Sequence, residues 1–110
     1  MGSDIAGRTI TLVLATSTGG VGTHVSGVVP YLARAGARVQ VAGPQATEDL
    51  FSFTGAGARF APLQILAGPR PAEDLAAARK LRLITANTDV IHAHGLRAAM
   101  VAVAANAGRP

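Results

Sequence analysis

The 110-residue chain has no cysteine, no tryptophan, one tyrosine, three phenylalanines and a single lysine. Without cysteine neither a disulfide framework nor a thiolate metal site can form, and a reducing cytoplasm is the expected compartment. Scarce aromatics remove the stacking platforms on which single-stranded nucleic acids are held. The ten cationic residues, set against six acids, are scattered with no basic run, so no nucleic-acid partner is expected. A net charge of +4 still favours anionic ligands or an anionic membrane surface, which suits peripheral membrane association of a full-length protein. Long apolar runs are missing as well. Residues 98–105 fall far short of the roughly 20 needed to span a bilayer, and residues 1–7 hold Asp4 and no apolar core of a signal peptide.

What is present is aliphatic. With 49% hydrophobic residues and few rings, the core must be built from Val, Leu, Ile and Ala, which suits a parallel sheet flanked by small-residue helices. Residues 8–16 carry Ile10, Leu12, Val13 and Leu14 and read as a strand buried on both faces. Val25, Val28, Val29 and Leu32 then fall at helical spacing over residues 23–35, with Gly36 as the stop. Pro30 lies inside that helix and predicts a bend or an early break. Residues 37–42 form a second strand, and residues 47–53 a short helix begun by Thr47, with Glu48 and Asp49 in its first turn. Residues 59–63 make a third strand that Pro62 confines to an edge. A third helix covers residues 72–86, acidic at its start and basic toward its end; a strand covers residues 89–94, and a nearly all-apolar helix residues 96–107.

Strand–helix alternation repeated four times predicts an α/β fold, a Rossmann-like doubly wound parallel sheet of about four strands in the order 3-2-1-4. Such an order opens a crevice at the carboxyl ends of strands one and four. One domain is expected over residues 8–110, with residues 1–7 as a mobile leader. The last helix has more apolar surface than four strands can cover, so the domain reads as incomplete, an amino-terminal piece of a larger protein.

The turn after the first strand, Ser17-Thr18-Gly19-Gly20-Val21-Gly22-Thr23-His24, has the form of an anion cradle: glycines admit close approach, and helix-start amides point at the ligand. Of two common owners of such a turn, one fails and the other is disfavoured. A Walker loop needs a lysine after its last glycine, and Thr23 follows Gly22. A dinucleotide fingerprint needs a third glycine where Val25 stands and an acid after the second strand, where Gly43-Pro44 stands.

The turn, the run Leu32-Ala33-Arg34-Ala35-Gly36-Ala37-Arg38-Val39-Gln40-Val41, and Asp89-Val90-Ile91-His92-Ala93-His94-Gly95 together resemble the amino-terminal domain of the retaining family 4 glycosyltransferases of GT-B fold. The likeness runs through nearly all of the chain in the family's order. Pro30, and Ala37-Arg38 where Gly-His is more usual, depart from the pattern. The resemblance implies transfer of a sugar from a nucleotide diphosphate donor to an unidentified acceptor with anomeric configuration kept. It also implies a carboxyl-terminal domain, absent from this sequence, carrying the nucleotide site and a Glu-x7-Glu motif. This piece alone is expected to be inactive, and no cofactor beyond the nucleotide-sugar substrate is implied. A non-catalytic nucleotide- or phosphate-binding module is the alternative.

Gly19, Gly20, Gly22, Thr23 and His24 are the candidate phosphate- or substrate-binding residues, with Arg97 as a cation near the crevice. His94, where the fourth strand gives way to Gly95, is the candidate catalytic residue; by resemblance its ring would touch the transferred sugar. Thr18 is a further candidate hydroxyl donor. His92, two residues earlier, reads as a core histidine, and the histidines lack the carboxylates a metal site would want, so no metal is expected. The acid pairs Glu48-Asp49 and Glu73-Asp74 are explained by helix dipoles rather than acid–base chemistry.

Overall fold

A computed structural model describes residues 5–17 and 19–109. Eight elements alternate along the described residues: β1 (Thr9–Leu14), α1 (Gly20–Arg34), β2 (Arg38–Gly43), α2 (Gln45–Phe51), β3 (Arg59–Pro62), α3 (Pro71–Ile84), β4 (Val90–His94) and α4 (Leu96–Ala105). Every strand pair is parallel and the order is β3-β2-β1-β4, as the alternation predicts.

Two apolar layers sandwich the sheet because successive strand side chains point to opposite faces. Ile10, Leu12 and Leu14 of β1 pack with Val25 and Val29 of α1, with Val39 and Val41 of β2, and with Phe53. On the other face Val13 meets Ala77, Ala78 and Leu81 of α3 and Ala98, Val101, Ala102 and Ala105 of α4. Alanine on both of those helices lets them lie close to the sheet. Leu12 and Leu14 are wholly buried, each contributing roughly 1.5–3 kcal/mol.

Several expectations are corrected. Helix α1 runs on through Pro30 to Arg34 without a break. Pro30 cannot donate to the carbonyl four residues back, yet Val25 and Val29, buried against the sheet, hold the helix in register. The same helix begins three residues earlier than the periodicity suggests, at Gly20, so two of the turn's glycines are helical. Helix α2 begins at Gln45, after Pro44 at its cap. Thr47 is inside it, buried, with its hydroxyl donating to the Pro44 carbonyl at 2.6 Å. Ahead of β1, Ile5 packs against the α1-side core and the Gly7 amide donates to the Gly36 carbonyl at 2.9 Å. Residues 1–4 lie outside the described residues, as does Pro110.

His92 is exposed and not a core residue. It pairs in register with Leu12, on the face that α1 covers over β1 and β2, but that layer does not extend over β4. Leu96, Met100 and Val103 of α4 are exposed in a stripe at positions i, i+4 and i+7. Among the described residues no helix is long and apolar enough to cross a membrane.

Candidate functional site

Strands β1 and β4 are neighbours, and Leu14 stands in register with His94, so the two segments that leave these strands emerge side by side. Each needs a different device to turn. After β4 the chain reverses at Gly95, whose φ of +98° is open to glycine and costly to residues with a Cβ. After β1 it passes through residues 15–17 into the first turn of α1, where Ser17 accepts hydrogen bonds at Oγ from the Gly22 amide (3.1 Å) and the Gly19 amide (3.4 Å). Ser17 therefore satisfies helix-start amides from outside the helix, and Thr23, whose own amide bonds the Gly19 carbonyl, does not act as the cap.

The three glycines of this turn do different work. Gly22 is buried, and a Cβ there would lie 2.1 Å from Cε2 of Phe51, so this glycine serves the packing of α1 on α2. A Cβ at Gly19 or Gly20 would meet nothing within 4 Å among the described residues. Both positions are exposed, so among the described residues no packing contact accounts for glycine there. Thr18 lies outside the described residues.

Three imidazoles meet at the crevice. The His94 ring centroid is 4.3 Å from that of His92 and 5.5 Å from that of His24, which is exposed in the first part of α1. His94 itself is 9% exposed, and its pKa is lowered to about 4 by burial first, then by the positive charge that His92 and His24 bring when protonated. At neutral pH it is an uncharged ring with one nitrogen to donate and one to accept. Among the described residues no group of three or more His, Cys, Asp or Glu side chains is arranged to hold a metal ion.

A third wall of the site is the segment between β3 and α3. Thr16 donates from its amide (3.0 Å) and its hydroxyl (3.2 Å) to the Ile65 carbonyl, and Arg97 Nε donates to the Leu66 carbonyl at 3.1 Å. Arg97 also pairs through Nη2 with Asp74 of α3, and this bond, ahead of the others, holds the Asp74 carboxyl below its ordinary range. The guanidinium charge is thus balanced within the chain, so Arg97 offers hydrogen-bond donors rather than uncompensated charge. Ser17 was legible as the start of the turn, but not as the acceptor for its amides, and the β3–α3 segment was not legible as part of the site. The segment reaches the crevice only because β3 lies two strands away from β1 and its crossover to β4 passes over the strand ends.

Between these walls lies a pocket of about 220 Å³, lined among others by Ser17, Val21, Ala67, His94, Gly95 and Arg97. Among the described residues, two buried side-chain polar atoms lack a hydrogen-bond partner: His94 Nε2 and Arg97 Nη1. Leaving a buried polar atom unpaired costs about 1–3 kcal/mol, and both atoms belong to residues that line this pocket.

Residues 19–110 match the family model described as a glycosyl transferase 4-like domain. Comparison with curated proteins and with solved structures finds no match.

Proposed function

The chain belongs to the glycosyl transferase 4-like family, and from that premise we propose that it forms the acceptor-side Rossmann-like domain of a retaining glycosyltransferase that uses a nucleotide diphosphate sugar. The observation that carries this reading is the pair of unpartnered buried atoms, His94 Nε2 and Arg97 Nη1, in residues lining one pocket beside an open glycine turn. A neutral imidazole and a charge-balanced guanidinium suit an uncharged hydroxyl: the guanidinium donates to its oxygen while the imidazole accepts from or donates to it. Exposed Gly19 and Gly20 at the start of α1 supply bare backbone and the positive end of a helix dipole, suited to a phosphate of donor or acceptor. His94 is the residue that touches the transferred sugar.

The division of labour follows from which residues are here. This chain holds and orients; the nucleotide, and the carboxylates of a Glu-x7-Glu motif, belong to a carboxyl-terminal domain. The chain alone is accordingly inactive.

The test is titration of the chain with nucleotide sugars, observed by amide NMR. Saturable shifts centred on residues 19–24 and on His94, absent in His94→Ala, are expected; shifts confined elsewhere would overturn the site. In a protein carrying both domains, NMR of the product's anomeric proton distinguishes retention from inversion.

A further inference from the structure

A recess of about 430 Å³ opens at the opposite, amino-terminal ends of the strands, remote from the crevice. Its walls include Arg38 and Gln40 of β2, Arg59 of β3, Ile84 at the end of α3, and Asn87 and Thr88 in the turn that follows. Gln40 fixes which face this is, because its Nε2 reaches Thr11 Oγ1 (3.2 Å) and the Ile84 carbonyl (3.3 Å), on the side that α3 covers. Arg38 is two residues from Gln40 on the same strand, and Arg59 is the register partner of Gln40, so both arginines share that face. Strands about 4.8 Å apart, with a two-residue offset of about 6.6 Å, set their Cα atoms about 8 Å from each other. That separation is within reach of two guanidinium forks binding one small oxyanion.

Among the described residues no acid forms an ion pair with either. No Asp or Glu lines the recess, and among the described residues neither Arg38 nor Arg59 makes a side-chain hydrogen bond or ion pair. Asp89, next in sequence to Thr88, accepts at 2.7 Å from the amide of Thr9, itself a wall of the recess. The carboxyl end of α3 would be the natural acceptor for a nearby cation, but its carbonyls are already used. Leu81 accepts from Thr85, Arg82 from Arg109, Leu83 from Ala86, Ile84 from Gln40 and Thr85 from Thr88. Two like charges therefore share a cavity with one carboxylate at its edge and no ion pair to either among the described residues, an arrangement that stabilises once an anion enters.

We propose that this recess is a second ligand site, taking the phosphate or diphosphate group of a soluble small molecule, distinct from the sugar crevice and independent of the function assigned to it. Guanidinium groups bind phosphate oxygens in bidentate pairs, which a point-charge ammonium cannot imitate. Exposed Leu83 and half-buried Ile84 give the rest of such a molecule an apolar wall.

The experiment is NMR titration of the chain with inorganic pyrophosphate at low salt, following arginine Nε–H and backbone amide signals. Expected are saturable shifts at Arg38, Arg59, Asn87 and Thr88, weakened about tenfold or more by Arg38→Gln or Arg59→Gln. Arg34→Gln, on the other face, leaves binding unchanged. Arg38→Lys, which keeps the charge and loses the fork, binds more weakly than the wild type and serves if a Gln variant does not fold by circular dichroism. Shifts that are non-saturable or spread over all arginines would overturn the site. So would sedimentation with phosphatidylglycerol vesicles in the absence of any pyrophosphate response, which would assign the arginines to a membrane surface.

Discussion

Acidification from about pH 7 to pH 4 should weaken the fold through His94, and the weakening should vanish in His94→Gln. The folded-state pKa of His94 is lowered to about 4 from 6.5, chiefly because burial penalises the imidazolium and secondarily because His92 and His24 stand beside it. Between those two values the unfolded chain binds a proton that the folded chain refuses. Stability from this group is therefore complete above about pH 6.5, falls as the pH drops toward 4, and falls no further below that. The distance from 6.5 to about 4 sets a ceiling of about 3 kcal/mol. Solvent at the mouth of the crevice screens the ring, so ~1–2 kcal/mol is the loss to look for. Urea denaturation followed by far-UV circular dichroism, run on wild type and His94→Gln at a series of pH values, measures it. The difference in unfolding free energy between the two proteins should move by ~1–2 kcal/mol in favour of the variant as the pH falls. A difference independent of pH would refute the reasoning, as would an NMR titration of the His94 ring with its midpoint near 6.5.

Two further outcomes follow from the backbone. Gly22→Ala drives a Cβ into the Phe51 ring at 2.1 Å and should cost ~1–3 kcal/mol, less the ~1 kcal/mol that alanine gains in a helix; adding Phe51→Leu should restore most of the loss, and a higher urea midpoint for Gly22→Ala alone would contradict the packing role. Ser52 caps α2 at φ +50°, and Ser52→Gly should stabilise by ~0.5–1 kcal/mol, with an unchanged or lower thermal midpoint counting against strain there.

Alternation of strands and helices, the doubly wound sheet and its order were legible because each rests on local periodicity and on the handedness of crossovers, both readable along the chain. So was the meeting of the glycine turn with His94, since the order puts β1 beside β4. Element ends were less so. The start of α1 within its own glycines depends on Ser17 bonding the Gly22 amide, and its passage through Pro30 depends on Val25 and Val29 being gripped by the sheet. His92 misled because a strand's apolar neighbours say nothing of whether a helix covers that strand.

By itself the chain determined its class, its strand order and the family to which residues 19–110 belong. Only the tertiary structure decided that Gly22 serves packing while Gly19 and Gly20 stand open, and that Asp74 balances Arg97. It alone brought His94 and Arg97, each with an unpaired buried atom, to one pocket. Periodicity is a property of neighbours in sequence, whereas an unpaired atom, a counter-charge or a missing Cβ acquires meaning only from what folding sets beside it.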